Sequence, residues 1–245
     1  MTENRALEEF LLRASDEFAG GGWIFTGFNL PVLAARLARR IRATEFVQVL
    51  EAGAAIDRDT EELLTSTTDY FQTAPVTCYR GTTNDVMFGI VPRCRRVLMD
   101  AANVDIHGRT NSSVIGAWAS PKVRMPGGGG GPDAAFRARD LVLLHGGVQL
   151  SRLVERVSSV TTAPSPNARV RLLTRWGDLT LGDKPTLDVL VEGPEADDFA
   201  VCLRQLGVST YDPAIAGARE PEEHQQAQAV LGEARRGGYA IGARF

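Results

Sequence analysis

The first pattern along the chain is helical. In RALEEFLLRASDEF the apolar residues Leu7, Phe10, Leu11, Ala14 and Phe18 recur at helical spacing, and Gly20–Gly22 stop the run. WIFTGF then reads as a short buried strand. LPVLAARLARRI reads as a helix, with Pro31 near its first turn, Leu33, Leu37 and Ile41 on one face and arginines toward its C-terminal end. EFVQVLEAG predicts a second strand, broken at Gly53, RRVLMDAANVD a third that runs into the turn residues of DIHGRTNSS, and DLVLLHGG a fourth. These runs are apolar without alternation, the pattern of strands covered on both faces. The last forty residues return to helix, and EPEEHQQAQAVLGEARRGG opens on Pro221 and acids and closes on arginines and glycines. Strands interleaved with helices predict an α/β fold: an open, mostly parallel sheet flanked by helices, in a single domain spanning residues 1–245.

Composition narrows the function classes. With 245 residues and 44% hydrophobic content the chain fills a sizeable core. The formal net charge is -3, with Arg and Glu mixed along the sequence, so there is no basic field for a nucleic-acid partner. Cys78, Cys94 and Cys202 are widely separated, without metal-like spacing; they read as buried small hydrophobes in a reducing compartment, and no metal site is expected. The N-terminal stretch lacks the basic start and apolar core of a signal peptide, and no apolar run approaches the ~20 residues of a membrane span. The expectation is a cytoplasmic protein without a membrane partner.

Candidate chemistry centres on RMPGGGGGPDAAFR, residues 124–137. Gly127, Gly128, Gly129, Gly130 and Gly131 are not embedded in Ser- or Pro-rich sequence, as a flexible linker would be, and a helix-forming segment follows them. Glycines at the entrance to a helix allow positive φ and let backbone N–H groups approach an anion. The run lacks the GK[ST] ending of a phosphate loop. On the loop alone, a backbone cradle and a tight structural turn fit equally well. Glu51 ends a strand and is followed at once by the Gly53 turn, the place where α/β sheets bind ligands; pairing with an arginine or capping a helix would explain it as well. His107 lies in a turn, as a substrate contact or a structural group. His145 ends a strand before two glycines and reads as a structural hydrogen-bonding group, and His224 belongs to no cluster. Asn111 and Ser112, beyond a strand end, are candidates to line a pocket. The SDEF segment and the C-terminal acids read as helix surface.

Four segments together resemble the class I (family I) coenzyme A transferases, most closely the β-subunit-like chains of the glutaconate CoA-transferase type. TGFNLPVLAARLARR is similar to the family's early Gly-Leu-Pro turn and helix, and LEAGAAID to its strand-end ESG segment. MDAANVDIHGRTNSSVIG is similar to its GAAQVDxxGNxNST strand and turn, and KVRMPGGGGGPDAA to its KxRxxGSGGANDIA loop. The resemblance is collinear over residues 24–135; the C-terminal third matches only loosely. Glu51 falls on the family's catalytic glutamate, Gly127, Gly129 and Gly130 on the GxGG of the loop, and Asp133 on its Asp. Ala52 replaces the usual serine, Gly128, Gly131 and Pro132 replace Ser, Ala and Asn, and Arg109 replaces Asn in the turn. The loop changes bear on acyl specificity and reaction type.

The resemblance implies CoA transfer between carboxylic acids through an acyl-glutamyl anhydride and a glutamyl-CoA thioester, with Glu51 as nucleophile and the five glycines cradling oxyanion and thioester. It implies an acyl-CoA thioester as substrate, no permanently bound cofactor, and an α-type CoA-transferase subunit as partner in a hetero-oligomer. Two other readings stand beside it. One is a CoA-transferase-fold decarboxylase or carbon-carbon hydrolase, although such family members lack the β-chain glutamate that is present here. The other is a non-catalytic assembly subunit, against which an intact Glu51 and glycine loop argue.

Overall fold

The computed structural model describes residues 3–42 and 44–241. In chain order the elements are α1 (Glu3–Asp16), β1 (Gly22–Thr26), α2 (Leu30–Ile41), β2 (Phe46–Leu50), β3 (Ala54–Ile56), α3 (Tyr70–Thr73), β4 (Thr77–Arg80), β5 (Arg96–Asp100) and β6 (Val104–Asp105). There follow β7 (Val114–Ala117), β8 (Ser120–Arg124), α4 (Gly131–Arg137), β9 (Asp140–His145), β10 (Leu153–Val154), β11 (Arg169–Thr174), β12 (Gly177–Leu181), β13 (Thr186–Leu190), α5 (Ala196–Gln205), β14 (Ala214–Ile215) and α6 (Pro221–Arg236).

Ten strands form one sheet in the order β14-β13-β12-β11-β9-β5-β1-β2-β3-β4. Its centre, from β11 to β2, is parallel throughout. β1, β2, β5 and β9 are the strands that read as apolar runs, whereas β11, RVRLLT, carries two arginines and is not marked by such a run; each of the central strands is covered on both faces. Ile24, Leu98, Val142 and Leu144 face the helices α1, α2 and α6, whereas Phe25, Val97, Met99, Leu141 and Leu143 face a second core containing Ala134 of α4 and Phe199 of α5. The open, mostly parallel sheet flanked by helices is therefore the observed architecture. Its margins are antiparallel, through β3 and β4 on one side and β12 and β13 on the other. These shorter strands alternate or carry few apolar residues, so no continuous run marks them. The third predicted strand divides into β5 and β6 because the chain leaves the sheet after Asp100, and β6 pairs instead with β10.

Two expectations are corrected. Ser15, Glu17 and Phe18 of SDEF are buried rather than on a helix surface. Glu17 is drawn inward because it bridges Arg96 and Arg171 at the starts of two central strands, at 2.8 and 2.7 Å. The C-terminal acids Glu223 and Glu233 likewise bind Arg42, Arg36 and Arg40 and clamp α6 onto α2. Among the cysteines only Cys94 is buried, where lost hydration pushes its thiol up to about 12; Cys78 is exposed on the short margin strand β4 and Cys202 is half-buried. No helix among the described residues is long and apolar enough to cross a membrane.

Candidate active site

Glu51 follows directly on β2, at the carboxyl end of the parallel strands. The turn that carries it closes with the Gly53 N–H donating to the Leu50 carbonyl at 3.3 Å and is pinned from the side by the Gly81 N–H, which donates to the Gly53 carbonyl at 2.8 Å. Gly53 has φ +100, and a Cβ there would lie 2.3 Å from the Gly81 carbonyl oxygen, so no other residue fits this approach. Gly81, at the end of β4, had no signal of its own in the sequence.

The glycine run meets that carboxylate. The Gly130 N–H donates to Glu51 Oε1 at 2.9 Å. Cβ atoms added at Gly129 and Gly130 would stand 3.3 and 3.1 Å from the same oxygen, so the loop's backbone lies against the carboxylate with no side chain between. Gly127 and Gly129 take φ +95 and +51, the left-handed region that favours glycine. The five amides divide by task. Gly127 donates to the Ser112 carbonyl and Gly131 to the Gly128 carbonyl, both at 2.8 Å, and these two bonds fix the loop's shape. Gly130 holds Glu51. Among the described residues, the Gly128 and Gly129 amides have no protein acceptor.

The other sequence candidates separate into supports and bystanders. Ser112 grips the loop from the side: its hydroxyl donates to the Gly127 carbonyl at 2.9 Å, while its own N–H donates to Thr161 Oγ1 at 3.0 Å. Thr161 also bonds the Ser113 hydroxyl, and its methyl would be 3.0 Å from a Cβ at Gly128. It lies far along the sequence in an irregular segment, with nothing there to mark it. Asn111 is buried. Its amide donates to the Val114 carbonyl, and its oxygen accepts from the Ser113 and Val114 N–H groups, so it builds the turn beneath the loop instead of lining a pocket. Asp133 is exposed in the first turn of α4. His107 is half-buried, with its backbone N–H on Asp105 Oδ1. His145 donates or accepts at Nδ1 with the Ala101 carbonyl at 2.8 Å; burial lowers its pKa and leaves a neutral ring, which fits the structural reading. His224 is not isolated: it lies between Glu8 and Glu9 at 3.2 and 3.0 Å.

Arg109, the departure in the turn, has a partner that explains it. Asp105 is fully buried; it accepts from Arg109 Nε at 2.8 Å, forms an ion pair with Arg109 Nη2 at 2.7 Å, and accepts from the backbone N–H groups of His107, Arg109 and Val157. Removing the guanidinium leaves an uncompensated buried carboxylate. Arg109→Ala is therefore expected to destabilise the fold by about 3 kcal/mol, read from urea unfolding. A shift below about 0.5 kcal/mol would show that the backbone donors alone suffice.

Among the described residues no group of three or more His, Cys, Asp or Glu side chains is arranged to hold a metal ion.

The structure thus sets a glutamate at the end of a central parallel strand against the backbone of a glycine loop. No family model matches the chain. Its sequence is similar to the B chains of two CoA-transferases. One belongs to the 3-oxoadipate CoA-transferase of Pseudomonas knackmussii and is 30% identical over 147 residues, which cover 56% of this chain and 53% of that protein. The other belongs to the glutaconate CoA-transferase of Acidaminococcus fermentans and is 25% identical over 162 residues, which cover 64% and 60%. The chain thus matches little more than half the length of these curated relatives. In structure it superposes on glutaconate CoA-transferase from Acidaminococcus fermentans with a TM-score of 0.71 at 19% identity, covering 100% of this chain and 98% of that one. It superposes on the decarboxylase AibA/AibB with a TM-score of 0.78 at 23% identity, covering 97% and 99%. The fold is thus common to proteins named for different reactions.

Proposed function

We propose that this chain is the β-type subunit of a heteromeric class I CoA-transferase and that Glu51 is its nucleophile. The observation that carries the reading is the contact between the Gly130 amide and the Glu51 carboxylate at the carboxyl end of the central strands. Similarity to the B chains of two CoA-transferases supports the reaction class. In this reading residues 1–245 act as one domain.

The chemistry follows from the parts. The Glu51 carboxylate attacks the acyl-CoA carbonyl, the C–S bond breaks, and an acyl-glutamyl anhydride and CoA thiolate form. The thiolate attacks the glutamyl carbonyl, releasing the first carboxylate and leaving a glutamyl-CoA thioester. The acceptor acid reverses both steps. One thioester replaces another, so the exchange needs no ATP, and an ionised carboxylate needs no general base. Each tetrahedral intermediate needs its oxyanion held. The uncommitted Gly128 and Gly129 amides are the donors for that role, each worth about 2.7–4 kcal/mol in comparable sites. The Gly130 amide orients the nucleophile. Ser112 and Thr161 keep the loop in place, Asn111 supports the turn below, and His107 and Asp133 stand outside this contact set.

The test is incubation with an acyl-CoA and no acceptor, followed by intact-mass analysis. A mass gain of CoA less water on this chain, removable by hydroxylamine and trapped by borohydride, is expected. The second reading, decarboxylation or carbon-carbon hydrolysis of a CoA thioester, is favoured by the AibA/AibB superposition alone. It gives product without an acceptor acid and without an adduct.

The partner in this reading is an α-type chain of similar architecture, ~250–320 residues long on the usual domain scale. Co-expression is expected to give a stable hetero-oligomer and full activity, and this chain alone to be inactive or poorly soluble. A monodisperse, fully active homo-oligomer in light scattering and turnover assays would overturn the partnership.

A further inference from the structure

A second run of glycines, Gly20–Gly22, does more than stop α1. It lies under the side chain of Arg95, the residue before β5, whose backbone N–H donates to the Trp23 carbonyl at 2.8 Å. A Cβ at Gly20 would stand 1.4 Å from Nη1 and 1.9 Å from Cζ of Arg95, so the guanidinium occupies the space that any side chain there would need. This seat leaves the charge largely uncommitted. Arg95 makes one long bond, from Nη1 to the Gly21 carbonyl at 3.4 Å, and Arg93 one from Nη1 to the Gly89 carbonyl. Among the described residues neither has a carboxylate partner, whereas the next residue, Arg96, binds both Glu17 and Asp140.

Both arginines border an open cavity of about 1120 Å³, at the upper end of the size class of small-molecule sites. Gly22 and Trp23 start β1 and Arg95 precedes β5, so the cavity lies toward the amino ends of the parallel strands, away from the end that carries Glu51. Glu51 and residues 127–131 line none of it. Its apolar walls are aromatic. Trp23 meets Tyr79 of β4 edge-on with ring centroids 6.2 Å apart, and Phe88 projects from a single π-helical turn, Asp85–Ile90. Such turns are rare and occur frequently at functional sites. Arg137 of α4 stacks on Phe88 at 4.3 Å, yet Phe88 and Trp23 both remain exposed. The same turn carries the opposite charge. Asp85 Oδ2 accepts from the Thr82 N–H at 2.7 Å and from its hydroxyl at 2.8 Å, bonds that hold the carboxyl below its usual range. Asp85 Oδ1 has no protein donor among the described residues.

The lining thus combines uncommitted cations, aromatic faces and an uncommitted carboxylate oxygen. An apolar occupant would leave the charges unpaired, and a simple anion would leave the rings and Asp85 unused. A purine nucleoside phosphate meets all three: its phosphate takes charge-assisted hydrogen bonds from guanidinium groups, its base stacks on aromatic rings, and the N–H groups on the edge of the base donate to a carboxylate.

We infer that this cavity is a binding site for a purine nucleoside monophosphate, separate from the Glu51 site. Arg95 and Arg93 hold the phosphate, Trp23 and Phe88 the base, and Asp85 its N–H edge. The site stands whatever reaction Glu51 carries out.

The experiment is calorimetry on the purified assembly with AMP, GMP, adenosine and inorganic phosphate. The two nucleotides are expected to bind about tenfold or more tightly than either adenosine or phosphate. Arg95→Gln is expected to weaken AMP by about ten- to a hundred-fold and to leave adenosine unchanged, which removes the advantage of the phosphate. Phe88→Ala is expected to weaken AMP and adenosine alike, by about tenfold; it alters an exposed ring and keeps the test decisive should loss of Arg95 disturb the turn at Gly20. Saturating acetyl-CoA is expected to leave AMP bound. AMP binding no tighter than adenosine or phosphate overturns the inference, as does an AMP affinity unmoved by Phe88→Ala in a folded assembly. Displacement of AMP by acetyl-CoA overturns the separate site and gives the cavity to the nucleotide end of the thioester.

Discussion

Replacing Glu51 by alanine or glutamine is expected to abolish both the CoA adduct and CoA transfer, a loss of roughly 10⁴-fold or more in kcat, as for other covalent nucleophiles. The two substitutions probe different things. Alanine removes the acceptor of the Gly130 N–H, one hydrogen bond at a half-buried site, so stability should change by about 1 kcal/mol or less. Glutamine keeps the shape, and its amide oxygen can still accept from Gly130. It has no carboxylate to attack a thioester or to leave from an anhydride. A folded, loop-engaged but inert glutamine variant is thus the specific signature of nucleophilic catalysis. If glutamine retained more than about a tenth of wild-type turnover, Glu51 would be a positioning group, and an acceptor-independent reaction would be the better account.

The second large effect is expected in the loop. Gly130 has φ -80, which any residue adopts, so Gly130→Val adds no backbone strain. Its cost arises at the active site, because the new Cβ would lie 3.0 Å from the Glu51 carboxyl carbon and drive the carboxylate off its hydrogen bond. A displacement near 1 Å costs about 10²-fold in turnover, with little change in Tm. Gly129→Val combines crowding of the same oxygen, at 3.3 Å, with a φ of +51 that a β-branched residue resists, so it is expected to lose stability as well as rate. Equal stability losses for both variants, or unchanged turnover for Gly130→Val, would return the glycine run to a purely structural turn. Rapid-quench measurement of adduct formation separates displaced chemistry from slowed product release.

Much of this molecule was legible in the residues. The parallel centre of the sheet announces itself because strands covered on both faces must be apolar at every position, and VLM in β5 or LVLL in β9 admits little else. Helices α1, α2 and α6 follow from periodicity and from the Pro, acid and arginine placements at their ends. The candidacy of Glu51 and of the glycines was legible too, since a carboxylate at a strand end and a run without Cβ atoms are unusual choices for a soluble core. Tertiary structure alone decided what these parts do to one another. That the Gly130 amide, rather than another of the five, reaches Glu51 depends on the Ser112 and Thr161 supports, contributed by segments with no periodic signal. The burial of SDEF depends on Arg96 and Arg171, which lie some eighty and more than one hundred and fifty residues away. Arg95 lies over Gly20 because β1 and β5 are neighbours in a sheet order that skips the intervening strands. Local patterns fix which residues are covered and which turns can close; charge pairs, loop supports and strand order are long-range contacts, and their energies exist only once the chain has brought the partners together.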